Sequence, residues 1–435
     1  MIGEVRAVLL GAGLAASVCL AAAAQPIPVP APRQPSRIVD PIGALIAEQG
    51  VDAARAALPI VIGLKLAESA GKARLSLELS DSLNVRVFTL VNPNRVVIDM
   101  PEVLWRVPGE ARPSGKGLMK SYRYGLFRKG NSRFVIDLGV PVKVESSEIL
   151  PPSGGSGFRF EIGLARTTPD DFQAHAGWPA GLSAFASAEP TPLPPASSGQ
   201  GAKRLIVIDP GHGGLDPGTH GQSGLQEKDL VLSVARGLRK TLEATGRYRV
   251  QLTRDSDVFI PLRERVGLAR AAHGDLFVSL HADSNDHREL RGASVYTLSE
   301  AASDHEAATL AERENMSDVI AGVDLSGENS PVASILIDLA QRDTLNRSAR
   351  FAETLISSLQ GATSVLPQLP HRAAGFAVLK APDVPAVLIE LGYLTNLKDE
   401  NEMATEAWRN RVADVISAAI NAHFAGPASR QADNR

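Results

Sequence analysis

An α/β catalytic domain with a mostly parallel sheet and helices on both faces, preceded by a small all-β sandwich domain, is the architecture that this sequence predicts. Three observations carry it. Short runs rich in Val, Leu, Ile and Phe recur between turn residues from 61 to 163, which is an all-β pattern. From 204 to 424, strand-like runs alternate with helix-spaced segments, the order that builds βαβ units. Between them the composition shifts to Pro, Ala, Ser and Gly, with Pro190, Pro192, Pro194 and Pro195 close together, so 164–203 reads as a linker. A chain of 435 residues also exceeds one ordinary core.

Taken in order, residues 1–24 carry Arg6, an apolar run from Ala7 and the small residues Ala21–Ala24, the features of a cleaved secretory signal. A retained transmembrane anchor is the competing reading, and the small-residue end favours removal. Cys19, the only cysteine, lies inside this segment, so the mature chain would have no thiol or disulfide. Val18 before it argues against lipid anchoring, and export to a bacterial periplasm without a stable membrane anchor is the expected location. Residues 25–60 form a leader whose first part has proline at nearly every second position, which excludes helix and central strand.

Strands are expected at Val61–Leu66, Ala73–Leu79, Val85–Leu90, Arg95–Met100, Phe134–Leu138 and Phe158–Ile162. In the second domain, strands are expected at Arg204–Asp209, Arg249–Thr253, Leu276–Leu280, Ala293–Thr297 and Ala386–Ile389. Helices are expected at Leu230–Thr245 and Pro261–Ala272. A tail, 425–435, closes the chain. The formal net charge is −3 and aromatics make up only 5%, so neither a basic field nor a stacking surface argues for nucleic acid.

Three residues, His212, His281 and Glu390, stand where an open α/β sheet places ligands, beside the carboxyl ends of its strands, and Glu227 joins them from a Gly-rich loop. His212 lies in Asp209-Pro-Gly-His-Gly-Gly214, and His281 ends the Leu276–Leu280 strand. Glu390 ends the Ala386–Ile389 strand, and Glu227 follows the Gly-rich loop 211–224. Singly, each has an ordinary explanation, such as a capping histidine or a glutamate complementing a helix dipole. Together they read as a catalytic zinc site. Two imidazoles and a carboxylate leave a fourth position open, and a spare carboxylate can take a proton from water. Glu390 is the most informative, because a charge directly after a buried strand is costly unless something offsets it. Zinc needs neutral imidazoles, so its binding is expected to weaken below about pH 6.5.

Residues 204–424 resemble the catalytic domain of periplasmic, cell-division-type zinc-dependent N-acetylmuramoyl-L-alanine amidases. The resemblance lies in Ile206–Gly214, Glu227–Asp229, Thr253–Asp255, Leu262–Arg265, Leu276–Asp283, Phe376–Leu379 and Pro385–Asn396. Residues 61–163 more loosely resemble the AMIN module that precedes such domains and targets them to peptidoglycan. The resemblance implies one zinc per catalytic domain, with His212, Glu227 and His281 as ligands and Glu390 as catalytic glutamate. The implied reaction is hydrolysis of the amide between N-acetylmuramic acid and L-alanine in peptidoglycan, for septal wall splitting and daughter-cell separation. A zinc peptidase or carboxypeptidase acting on wall peptides and a non-catalytic wall-binding protein are the rival functions.

About eighty residues separate the Ala293–Thr297 strand from Phe376, a long excursion for one connection. It contains an expected helix near Ile335–Leu359, and Ser303–Glu306 reads as a capping box opening another helix through about Val319. On that helix Ala307, Leu310, Ala311 and Glu314 share one face. The resemblance implies that an insert, about 303–347, caps the zinc until a LytM-type activator protein displaces it. Glu314 is the candidate cap; Glu312, or an exposed Glu314 with no such role, are the alternatives.

Overall fold

The computed structural model describes residues 58–107, 117–128, 130–153, 157–177, 203–323 and 335–425. The expected signal and leader, most of the expected linker, the centre of the insert and the tail lie outside these residues. From Leu58 onward the chain forms one compact unit that contains both domains.

The first domain is a sandwich. Its strands are β1 (Ile60–Ser69), β2 (Lys72–Leu79), β3 (Arg86–Leu90), β4 (Arg95–Pro101) and β5 (Leu104–Trp105), followed by β6 (Met119–Arg128), β7 (Asn131–Leu138), β8 (Val142–Leu150) and β9 (Phe158–Arg166). One sheet has the order β5-β1-β2-β9-β8 and the other β3-β4-β7-β6. Alternating side chains from both, among them Leu75, Leu77, Val96, Ile98, Phe134, Ile136, Phe160 and Ile162, fill the space between them. Each such side chain taken out of water contributes about 2 kcal/mol.

The expected linker start at 164 needs correction. Strand β9 continues to Arg166, and α1 (Pro169–His175), capped by the Thr168 hydroxyl, buries Phe172 against the sandwich core. One aromatic anchor therefore outweighs the loop-like composition around it.

The second domain contains β10 (Arg204–Pro210), α2 (Glu227–Ala244), β11 (Tyr248–Leu252), α3 (Leu262–Ala271), β12 (Leu276–His281) and β13 (Ser294–Leu298). It continues through α4 (His305–Asn315), α5 (Ser317–Ile320), α6 (Ile335–Leu359), β14 (His371–Ala374), β15 (Ala386–Glu390), α7 (Leu397–Met403) and α8 (Glu406–Phe424). The sheet order is β11-β10-β12-β15-β13-β14, parallel except where β13 meets β15. On one face α2 sets its stripe of Leu230, Val231, Val234, Ala235, Leu238 and Leu242 into a core shared with α6 and α8. The other face is covered by α3, α4 and the segment around Val378. Among the described residues no helix is long and apolar enough to cross a membrane.

The insert helix starts one residue later than its sequence suggests. Asp304, not Ser303, is the N-cap and accepts from the Ala307 backbone N–H at 2.9 Å. Glu306 pairs instead with Arg372 at 2.7 Å, so no capping box forms. The helix also breaks at Met316 before the short α5 begins.

Candidate active site

Strand register brings His281 and Glu390 side by side, because β12 and β15 are parallel neighbours in which these two residues pair directly. The β10–loop turn carries His212 over the same edge. Glu227 enters from the first turn of α2 and is fully buried. The four residues expected to share a site therefore do so in space.

His212 has φ +58°, a left-handed conformation uncommon for a residue with a Cβ, and its backbone is fixed by Arg265, which donates to its carbonyl at 2.7 Å. Its Nδ1 faces Asp216 Oδ2 at 3.0 Å, which turns Nε2 inward. Nε2 lies 3.1 Å from Glu227 Oε1 and 3.7 Å from Glu314 Oε2. His281 presents Nδ1 to the same two carboxylates, 3.3 Å from Glu227 and 3.0 Å from Glu314. Both inward nitrogens are buried and make no well-formed hydrogen bond. His212, His281 and Glu314 form a group with one ligand atom from each residue within 4.8 Å of the others.

The carboxylates are held from behind. Glu227 accepts from the backbone N–H of Ala282 and of Thr219, both at 2.8 Å. Gly218 makes that fit possible, since it has φ +64° and a Cβ there would come within 2.6 Å of Glu227 Oε2. Glu390 Oε2 accepts from the Asp283 N–H at 2.9 Å, while its Oε1 is buried without a hydrogen bond. Underneath, Arg265, Thr253 and Ser279 converge on the fully buried Asp209.

Proton affinities follow from this crowding. Burial pushes Glu390 well above the usual carboxylate range; His281 works against the shift, and Asp283, Glu227 and Glu314 add to it. Burial also lifts Asp283, to about 6, helped by the charges of Glu314 and Glu227. Burial opposes charge on His281, but Glu314 and Glu227 push it up to about 10. Burial would raise Asp216, yet its contact with His212 holds it at about 2.

Glu314 reaches the cluster because α4 lays Ala307, Leu310, Ala311 and Glu314 inward, whereas Glu312 is exposed. The void left beside His212, His281 and Glu314 is about 10 Å³, at most the room of one water. The sequence reading gave no role to Asp216, Ser317 or Arg313. Asp216 orients His212, the Ser317 hydroxyl donates to Asp216, and Arg313 pairs with Asp283 at 3.2 Å. Only Asp216 left a signal: an acid four residues after the histidine, in the same Gly-rich turn.

Buried imidazoles facing carboxylates, at the carboxyl edge of a parallel sheet beside an uncommitted glutamate, form a group that could hold a metal ion, the arrangement found in metal-dependent hydrolases. Residues 206–422 match the N-acetylmuramoyl-L-alanine amidase family, which is in general zinc-dependent, and residues 63–150 match the AMIN domain. The chain belongs to the N-acetylmuramoyl-L-alanine amidases, and its activity is hydrolysis of that amide bond in peptidoglycan. The amidase AmiC of Escherichia coli O6:H1 is 35% identical over 388 residues, covering 86% of this chain and 92% of the relative. AmiC of Neisseria meningitidis serogroup B is 35% identical over 81% of this chain and 86% of its own length. The solved structure of AmiC2 of Nostoc punctiforme, 26% identical, covers 52% of this chain and 99% of its own, with a TM-score of 0.39.

Proposed function

We propose that His212, Glu227 and His281 hold one zinc ion, that Glu390 moves the proton during hydrolysis, and that Glu314 blocks the site until the insert is displaced. The observation that carries this reading is the pair of buried imidazole nitrogens, His212 Nε2 and His281 Nδ1, aimed at the same carboxylates without a hydrogen bond. Such nitrogens fit a metal with imidazole and carboxylate ligands. When bound, zinc supplies Lewis acidity and an acidified water.

The remaining chemistry belongs to the chain. Asp216 keeps a proton on His212 Nδ1 and so leaves Nε2 free as a ligand atom. Glu390, raised by burial toward the range where a carboxyl both accepts and donates, takes a proton from the attacking water. The water oxygen bonds to the lactyl carbonyl carbon, the carbon–nitrogen bond breaks, and Glu390 returns the proton to the leaving L-alanine amine.

Closure by the insert is supported by the 10 Å³ void, which leaves no space for a substrate amide. A partner that binds the displaced insert, a LytM-type activator, would open it; moving the population from 1:99 to 99:1 needs about 5.5 kcal/mol of differential binding. Export to the periplasm and cell separation at the septum complete the reading, with the β-sandwich holding the enzyme on the wall. Mass spectrometry of sacculi digested by Glu314→Ala should find released stem peptides with a free L-alanine N-terminus. Trimmed terminal D-alanine in their place would favour a carboxypeptidase.

The pH dependence of loading extends higher than the unperturbed histidine value. A folded-state pKa of about 10 means that metal-free His281 is protonated at neutral pH, and the metal must displace that proton. Apparent zinc affinity should therefore rise with pH through and above 6.5. Zinc titration in weakly buffered solution at pH 7.5 should release protons; loading with no proton release would contradict a protonated His281 in the metal-free site.

A further inference from the structure

The outer face of the sandwich's four-stranded sheet does not face solvent alone: it grips the insert around the end of α5. Three arginines of that face donate to four consecutive backbone carbonyls, 319 to 322, at the carboxyl end of α5. Arg95 on β4 donates to Val319 and Arg123 on β6 to Ile320. Arg133 on β7 donates to Ala321 at 3.2 Å and Gly322 at 2.8 Å. A helix leaves its last carbonyls without internal partners, and cations are the favoured groups there.

The arginines are built to hold this geometry. Arg133 is 1% exposed, forked onto Asp99 at 2.5 and 2.8 Å, and its guanidinium sits 3.6 Å from the centre of the Phe127 ring. Arg123 is forked onto Asp137 at 2.5 and 3.1 Å. Between them Ala321 is buried in a small apolar cluster with Phe127 and Val135 of the sandwich and Leu215 and Phe259 of the catalytic domain. Strand β6 lies against the catalytic loop closely enough that a Cβ on Gly125 would come within 2.6 Å of the Gly214 backbone.

The grip is continuous with the plug. From the held carbonyls the chain runs back through α5, where Asp318 accepts from the Leu262 N–H at 2.9 Å and Ser317 donates to Asp216. Met316 then joins α5 to α4, whose last turn carries Glu314.

We propose that this face of the sandwich is a docking surface for the insert, and that Arg95, Arg123 and Arg133 hold Glu314 over the metal site. The N-terminal domain is then part of the lock as well as the part that meets the wall. The inference rests on the reading of Glu314 as a plug. An activator has to break these contacts, or move the sandwich together with the insert.

The test uses the full mature chain without a partner, zinc-loaded and checked for folding by thermal melting. Dye release from labelled peptidoglycan is compared for wild type, Glu314→Ala, Arg123→Ala, Arg133→Lys and the Arg123→Ala/Glu314→Ala double variant. Arg133→Lys keeps the charge but loses the fork, and Arg123 lies nearer the rim, so its removal spares the buried pair. Each arginine variant should raise cleavage about tenfold, the scale of losing one charge-assisted hydrogen bond. The double variant should cleave no faster than Glu314→Ala, because the arginines act only through the plug. Amide exchange should quicken over 305–322 in the arginine variants.

If Glu314→Ala is active while folded Arg123→Ala and Arg133→Lys stay at the wild-type rate, the clamp is overturned and the plug stands. If Glu314→Ala is no faster than wild type, the plug reading fails and the clamp falls with it. Additive gains in the double variant would also overturn the clamp, since they require a second route.

Discussion

Glu390→Gln should keep its zinc and lose at least about 100-fold in turnover, the lower range for removing general acid–base help. The substitution preserves volume, and the 2.9 Å bond from the Asp283 N–H to Oε2 can be kept by an amide oxygen. What disappears is the ability of a buried, upshifted carboxyl to accept a proton. The fold should tolerate the change, because Glu390 Oε1 has no hydrogen bond to lose. Kinetics and metal content are measured on one preparation, made in the Glu314→Ala background, which lacks the proposed plug. Near-normal turnover with zinc present would move the base elsewhere.

His281→Ala should cost more. It removes a nitrogen aimed at both Glu227 and Glu314, and with it the metal. Losing several kcal/mol of Lewis-acid stabilisation corresponds to a fall of at least about 1000-fold. The expected result is a folded protein with little zinc by elemental analysis and no dye release at any pH. A variant that kept stoichiometric zinc and activity would remove His281 from the ligand set. Asp216→Asn should fall between these two, with zinc binding weakened about 10- to 100-fold, because the His212 imidazole remains but the carboxylate that orients it does not.

The catalytic domain was largely legible because its strands are buried on both faces and therefore appear as continuous apolar runs. Ile206-Val-Ile and Val387-Leu-Ile are examples, and the residues ending such runs arrive at one sheet edge. The convergence of His212, His281 and Glu390 followed from that rule, whereas Glu227 reaches them from the first turn of α2. The sandwich was less legible. Strand β8 is exposed along most of its length and carries Lys143, Glu145, Ser146, Ser147 and Glu148, so no apolar run marks it. Strand β6 has apolar residues toward the sandwich core at Tyr122 and Tyr124, but Arg123 on its other face meets the insert. Its mixed composition records two different interfaces rather than one core and one solvent face. The carbonyl-binding arginines and Ser317 left little signal because their roles depend on partners a hundred or more residues away, as with Arg133 and Gly322.

The central claim is that one metal sits between His212, Glu227 and His281 with Glu314 across its open position. Anomalous diffraction at the zinc edge on crystals of the zinc-loaded full chain tests it most directly. The account predicts one strong peak per chain, with His212 Nε2, His281 Nδ1 and a Glu227 oxygen at about 2.0–2.2 Å and a Glu314 oxygen completing a tetrahedron. Zinc bound elsewhere, or bound there with Glu227 outside ligand distance, would contradict it.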